Sequence, residues 1–493
     1  MGFVSLGCPK NLVDSEVMMG LLDRAGARLT ARPEDAEILI VNTCSFIDTA
    51  KQESIDTILE MARHKTKGQA KKLIVAGCLV ERYRDEIRKN IPEVDAVVGT
   101  GELESILEAA GLTSVSSAAP SPFTILSSVH ADDRRGKESQ AGTHKGRPEG
   151  NHRERSGRFR RDEWQGASSH LPTYLYDENT PRVLSTPRAS AYIKIAEGCD
   201  HPCSFCVIPN LRGKFRSRRF ESVVAEAQQL VARGVSEITL IGQDTTCYGE
   251  DLGIKDGLAT LLDELARIEG LRWLRFLYAY PNRITGRLLE TIAKHSNICK
   301  YLDLPLQHAS PSVLKRMKRG AGAEIFLKAL EKVRATVPQI ALRTSFIVGF
   351  PGESLRDFEI LEEFIKEARF DWLGVFSYSD EEGSGAHALD GKVPKRTIES
   401  RRRRLMKLQQ SISRRAKQEW VGRELLILAE GESAETPLLW EGRTEFHAPE
   451  IDGKVYINDF GELETLEPGR FYRAQITEAH DYDLVARVTS SAI

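Results

Sequence analysis

The chain has 493 residues, with 69 Lys and Arg against 71 Asp and Glu and a hydrophobic share of 41%. This length accommodates several domains with separate cores, and a net charge of −2 announces no nucleic-acid or acidic-surface partner for the molecule as a whole. Eight cysteines in so long a chain do not make a disulfide scaffold, no apolar run has membrane-spanning length, and no charged-then-apolar leader precedes the first apolar run; a cytoplasmic location and no membrane partner are expected.

Residues 1–114 alternate short apolar runs with helical patterns. Gly2–Leu6, Glu37–Val41 and Leu73–Ala76 read as buried strands of a parallel sheet, each followed by a helix. Each strand runs into a cysteine: Cys8, Cys44 and Cys78. Ligands in open parallel sheets gather at the carboxyl ends of the strands, so the three thiols meet at one sheet edge. Ordinary packing of cysteine as a small hydrophobe accounts for one such placement and poorly for three. The set reads as a three-cysteine iron–sulfur site, one thiolate short of the usual four. Lys10–Glu16 starts a helix, with Asp14 or Ser15 as its cap; Glu16 is a candidate to line the site, although capping or a solvated face is its commoner role.

From 115 to 188 small residues, Arg, Ser, Gly and His replace apolar periodicity, the composition of a disordered linker. Its basic stretch Arg153–Arg161 reads as solvated linker before it reads as a ribosomal-RNA contact, and His144, His152 and His170 are too irregular for a metal site.

Between 189 and 395, strands are expected at 191–196, 236–242, 273–280, 301–305, 341–348 and 371–378. Helices are expected at 221–233, 257–268, 285–295, 311–317, 323–336 and 355–368. Six βα units suggest a partial TIM-like barrel with its chemistry at the carboxyl ends of the strands. The first strand delivers Cys199, Cys203 and Cys206, with three residues between the first pair and two between the second. One short loop can thus place three thiolates on three irons of one 4Fe-4S cluster and leave the fourth iron open. A zinc site is the alternative and needs a fourth ligand, for which His201 is the candidate. Cys247 and Cys299 read as packing residues. Residues 396–420 form a charged connecting helix whose run Arg401–Arg404 reads as a solvated face. Residues 421–493 carry short alternating runs typical of a small antiparallel β-barrel. That last module has fifteen acidic residues against six basic ones, a net −9. A phosphate-gripping module carries Lys and Arg instead, so this one attracts a basic protein.

The cysteine loop Glu-Gly-Cys-Asp-His-Pro-Cys-Ser-Phe-Cys (197–206) resembles the signature of radical S-adenosylmethionine (SAM) enzymes. The three modules in this order resemble the radical SAM methylthiotransferase family, an α/β multidomain architecture ending in a TRAM module. The resemblance covers nearly all of the chain except the linker. It rests on 2–16, 194–206, 302–310 (Leu-Asp-Leu-Pro-Leu-Gln-His-Ala-Ser) and 448–453 (Ala-Pro-Glu-Ile-Asp-Gly), which are most similar to the branch that modifies an aspartate of a small-subunit ribosomal protein. The runner-up branch methylthiolates a transfer-RNA adenosine and typically has Gly-Gln-Asn where this chain has Gly-Gln-Asp (242–244). A non-catalytic iron–sulfur electron carrier is the remaining alternative. The resemblance implies two 4Fe-4S clusters and SAM. Cys199, Cys203 and Cys206 would hold the SAM-cleaving cluster, and Cys8, Cys44 and Cys78 the auxiliary cluster that donates sulfur to the aspartate β-carbon. It further implies a basic ribosomal protein as partner and an electron donor such as a flavodoxin or ferredoxin. Candidate SAM contacts are Phe205, Val207 and Ile208 around the adenine, Arg343 on a carboxylate, and Gln243 and Gln307 on the ribose or methionine.

Overall fold

The computed structural model describes residues 1–113, 123–125, 172–436 and 438–492. Strands β1 (Gly2–Ser5), β2 (Ile38–Thr43), β3 (Lys72–Gly77) and β4 (Ala96–Val98) form a four-stranded parallel sheet in sequence order. Their Val, Ile and Leu residues are buried except Val4 and Ile38, which are partly so, as a sheet with both faces covered requires; β4, at three residues, is too short to stand out as an apolar run. The first helix, Pro9–Arg24, starts directly after Cys8 with proline in its first turn, a position where the missing N–H costs nothing. Asp14 and Ser15 are therefore helix interior, not caps.

Eleven of this helix's sixteen residues are buried, Asp14, Ser15 and Glu16 among them, because it lies between its own sheet and the barrel. Glu16 is fully buried and accepts two hydrogen bonds from Arg182 and two from Ser185. The solvated-face expectation for it is corrected: its partners lie some 170 residues away and leave no local trace.

The expected linker falls mostly outside the described residues, but the parts that are described, 123–125 and 172–188, depart from the expectation. Strand β5 (Phe123–Ile125) pairs in parallel with β6 (Arg182–Leu184). Tyr176 and Arg182 are buried, and Arg182 lies 2.5 Å from Glu16 and 2.8 Å from Glu226.

In the central module, β7 (Ser190–Lys194) leads into a short antiparallel pair, β8 (Ala196–Glu197) with β9 (Arg216–Ser217), which clasps the base of the cysteine loop. Strands β10 (Glu237–Ile241), β11 (Trp273–Phe276), β12 (Tyr301–Asp303), β13 (Ala341–Val348) and β14 (Trp372–Ser377) follow. The order β11-β10-β7 and β12-β13-β14, all parallel, gives an open barrel in two halves joined by the Leu274–Ile298 bridge. All six expected barrel strands and all six expected helices are present within a few residues of their expected bounds. One strand face, with Ile193, Leu240, Phe276, Leu302 and Phe346, packs on the outer helices. The other, with Tyr192, Ile241, Trp273, Tyr301 and Trp372, packs on the first helix and on the C-terminal module.

The C-terminal module is a closed barrel, β15 (Glu424–Glu432), β16 (Trp440–Arg443), β17 (Val455–Asp459), β18 (Phe471–Ala479) and β19 (Leu484–Ala492). It closes through one parallel pair, β17 with β19, and is otherwise antiparallel. Its Arg443 reaches Glu237 (2.6 Å), Phe446 O accepts from Trp372 Nε1 (2.8 Å) and Asp452 accepts from the Tyr301 hydroxyl (2.7 Å). These contacts place it against the amino ends of the barrel strands. The N-terminal module meets the opposite ends, through Asp14 on Lys194 (2.5 Å) and Arg82 on Glu381 (2.7 Å). No described helix is long and apolar enough to cross a membrane.

Arg182, paired with Glu16 and Glu226, joins three segments in the interior. Replacing Arg182 with Met strands the Glu16 carboxylate, and losing one partner of a buried pair costs about 3–5 kcal/mol. We expect a clear fall in the thermal unfolding midpoint, partly recovered by Glu16→Gln in the same chain. An unchanged midpoint in Arg182→Met would refute the assignment.

Candidate functional site

The cysteines of the barrel loop are positioned by its entry. Gly198 takes φ +79°, and a Cβ there would stand 2.1 Å from the Lys214 carbonyl oxygen; only glycine lets the chain turn so close to its own return strand. Cys199 N then donates to Gly213 O at 3.2 Å and Cys206 N to Cys203 O at 3.1 Å, which curls the three thiols into one loop. In the N-terminal module Gly7 has the same task at φ +92°: a Cβ would stand 2.8 Å from Cys44 Cβ. Its absence brings the ends of β1 and β2 together, so that Cys8, Cys44 and Cys78 share one sheet edge. The sulfurs within each set feel one another electrostatically.

The two sets are neighbours. Val207 and Leu211, just after the barrel loop, pack directly on Cys78. Burial pushes four of the thiols up, Cys78 among them, with Cys199 at about 11 and Cys44 and Cys206 at about 12. Without a metal they are neutral at pH 7, and metal binding must displace their protons.

The donor sets fit iron–sulfur clusters better than single ions. Tetrahedral zinc at a Zn–S distance near 2.3 Å holds its sulfurs about 3.8 Å apart. Among the described residues, the one group of His, Cys, Asp and Glu ligand atoms gathered within 4.8 Å is His201, Asp244 and Cys247; neither cysteine triad is drawn in so tightly. Each triad also has donors aimed at sulfur: Arg212 Nη2 to Cys78 Sγ at 3.4 Å, Arg319 Nη1 to Cys203 Sγ at 3.5 Å, and Ile208 N to Cys206 Sγ at 3.4 Å. Such donors stabilise thiolate charge and tune a bound cluster.

Between the triads runs a buried ionic chain. Lys194 Nζ bridges Asp14 Oδ1 (2.5 Å) and Glu197 Oε2 (2.6 Å). Arg212 Nη1 reaches Asp14 Oδ2 (2.7 Å) and Glu197 Oε2 (3.1 Å), while its Nη2 donates to Asn11 Oδ1 (2.7 Å) as well as to Cys78. Burial alone would raise the Glu197 carboxyl, but Lys194 and Arg212 hold it well below the usual range. Two carboxylates and two cations balance, as buried charges must. The chain ties Glu197, two residues before Cys199, to the helix that follows Cys8.

The proposed SAM contacts are dispersed. Phe205 packs at the margin of the barrel core, and Val207 is buried against Cys78. Ile208 opens the short helix Ile208–Arg212 and uses its N–H on Cys206. Gln243 donates to Glu197 Oε1 at 2.5 Å and leaves its own carbonyl oxygen buried without a partner, a vacant acceptor beside the barrel loop. Gln307 sits at φ +73° with its backbone bridged to β13.

Arg343 is a correction. It lies near the start of β13, away from the carboxyl ends, paired to Asp303 (2.8 Å) and to Asp452 of the C-terminal barrel (3.4 Å). Both carboxylates belong to this chain, so its part is to join modules.

Residues missed in the sequence are Arg212, Arg319, Tyr280, Asp244 and Cys247. Tyr280 stacks on His201 at 3.9 Å, with Arg319 over its ring at 4.4 Å. His201 Nε2 meets Asp244 Oδ2 at 2.5 Å, and the Cys247 thiol donates to the same oxygen at 2.9 Å. A signal for Arg212 was available: Arg212, Lys214, Arg216, Arg218 and Arg219 follow directly on a thiol loop.

Three family models match in succession: Uncharacterized protein family UPF0004 over residues 1–99, the Radical SAM superfamily over 193–365, and the TRAM domain over 421–489. Three curated relatives share the name ribosomal protein uS12 methylthiotransferase RimO. That of Koribacter versatilis is 68% identical over 99% of this chain and 96% of its own length. Those of Solibacter usitatus and Pelotomaculum thermopropionicum are 55% and 45% identical, each over 98% of this chain and over 94% and 98% of their own. With two facing cysteine triads, this order of modules and this identity over nearly the full length of both partners, the chain belongs to the ribosomal protein uS12 methylthiotransferase RimO family.

Proposed function

We propose that this protein is a radical SAM methylthiotransferase that adds a methylthio group to the β-carbon of an aspartate in ribosomal protein uS12. The observation that carries the reading is the juxtaposition of two three-cysteine sites, joined across a module boundary by Val207, Leu211 and Arg212. Cys199, Cys203 and Cys206 hold one 4Fe-4S cluster, and Cys8, Cys44 and Cys78 hold the other. Bound there, the clusters with SAM supply a hydrogen-abstracting radical and the transferable sulfur, which acid–base side chains cannot do at an unactivated carbon.

The chain's own residues bind, orient and exclude water. Arg212 and Arg319 set positive charge against Cys78 and Cys203. The vacant Gln243 carbonyl oxygen accepts an N–H from a ligand seated beside the loop. The ionic chain through Asp14, Lys194 and Glu197 fixes the distance between the triads. Electrons come from a flavodoxin- or ferredoxin-class donor. The transfer-RNA reading is weakened by the last module, whose net −9 repels a phosphate backbone and suits a basic ribosomal protein.

Cys203→Ala is expected to abolish 5′-deoxyadenosine formation from SAM; wild-type formation would remove this triad from the reaction. Cys44→Ala should leave SAM cleavage intact and stop transfer of the methylthio group, read by mass spectrometry of uS12. Retained transfer would show that the auxiliary site is not the sulfur donor. Iron analysis of each variant should register the loss of one cluster and the survival of the other.

A further inference from the structure

The helix Lys395–Gln418 carries ten Lys and Arg against one acidic residue, Glu399. Its inward line is Ile398, Arg401, Leu405, Gln409, Ser413 and Lys417. The structure separates the cations by direction. Arg401 turns inward to Glu353 at 2.7 Å, Arg404 is held by Glu362 at 2.6 Å, and Lys417 lies 3.7 Å over the Trp372 ring. Lys395, Arg396, Arg403, Lys407 and Arg415 point outward, are exposed, and form no ion pair among the described residues. From Arg396 to Arg415 the face spans about 28 Å at 1.5 Å per residue.

A helix that only needs solvation interleaves glutamate with its cations, since opposite charges four residues apart stabilise it and like charges destabilise it. Here Arg403 and Lys407 stand four apart with the same sign, and three of the five outward cations are arginine, the side chain whose planar fork matches phosphate. Beside this face lies the acidic C-terminal barrel, touching the helix through Gln410 and Asp481 at 2.6 Å. Adjacent surfaces of opposite sign complement a target in which a basic protein is embedded in a polyanion.

We infer that the outward face of helix Lys395–Gln418 docks on the phosphate backbone of RNA surrounding the protein substrate. The inference rests on the proposed ribosomal-protein substrate and goes beyond it by assigning a second, sequence-independent contact. It uses none of the residues placed at the cysteine sites.

The test compares the full-length, cluster-loaded parent with a variant carrying Arg396→Gln, Arg403→Gln, Lys407→Gln and Arg415→Gln. All four positions are exposed, so the thermal midpoint should not move. Binding of a fluorescein-labelled RNA duplex is followed by anisotropy across a salt titration. The parent should bind at low salt with a steep log K against log salt slope. The variant's slope should be shallower by about 0.9 for each phosphate that is no longer neutralised, up to about 3.6. On free uS12 both proteins should work equally, whereas on assembled small subunits the variant should be at least several-fold slower. No binding by the parent, an identical slope in the variant, or binding only to anionic lipid vesicles would overturn the inference. Equal rates on assembled subunits would also overturn it. If neither free uS12 nor subunits are modified by the parent, the proposed substrate fails, while the anisotropy result still decides the RNA contact.

Discussion

Arg212 is the side chain on which the arrangement of the two cysteine sites depends. It is fully charged and almost completely buried, and it touches Asp14 and Asn11 of one module, Glu197 of the other and the sulfur of Cys78. An ion buried so deeply is tolerable only with its partners in place. Asp14, Lys194 and Glu197 complete a neutral set whose members cannot shift separately without exposing an unpaired charge. Apolar packing alone would tolerate sliding of the first helix along the barrel. The ionic chain does not, and it converts two modules with separate sheets into one site with a fixed spacing. The same guanidinium faces a thiol that would carry negative charge once metallated, so registry and electrostatic support come from one residue.

The opposite end of the barrel uses the same physics for another purpose. Glu237, at the start of β10, is fully buried and receives Arg443 from the C-terminal barrel, with Arg275 alongside at 3.4 Å. Burial opposes its ionisation, yet the two guanidiniums hold its carboxyl down at about 2. Arg343 joins Asp303 to Asp452 in the next layer. An open half-barrel leaves one face of its strands uncovered, and here the first helix and the C-terminal barrel both cover it. Chemistry is left to the carboxyl ends, where the cysteine loop emerges and the N-terminal module sits.

How much of this could be read from the sequence follows from the range of each interaction. The alternation of apolar runs with helical patterns is local, and it predicts six barrel strands and six barrel helices close to their observed bounds. The cysteines were legible because each follows a strand, with Gly7, Gly77 and Gly198 marking three of the turns. The ionic chain was not, because Asp14 and Lys194 lie 180 residues apart and nothing near either implies the other. Glu16 looks in sequence like an ordinary polar position on a helix and is instead the partner of Arg182, at the end of a stretch whose composition suggests a linker. Arg343 is third of eight residues in the strand expected at 341–348, which already puts it near the amino end; what the sequence does not show is its pairing with Asp303 and with Asp452 of the C-terminal barrel.

A net charge of −2 also hid a strong segregation. The long helix carries a net +9 and the module after it a net −9, and in the whole-chain sum they cancel. At physiological ionic strength charges more than about 8 Å apart are largely screened from one another. A partner approaching the outward face of the helix therefore meets a cationic stripe, and one approaching the barrel meets an acidic surface, whatever the total. Within the helix, direction refines the count again. Arg401 and Arg404, inside the four-arginine run that stands out in the sequence, are bound to Glu353 and Glu362. The cations open to a partner are mostly those beyond the run, and only the packing of the buried line distinguishes the two kinds.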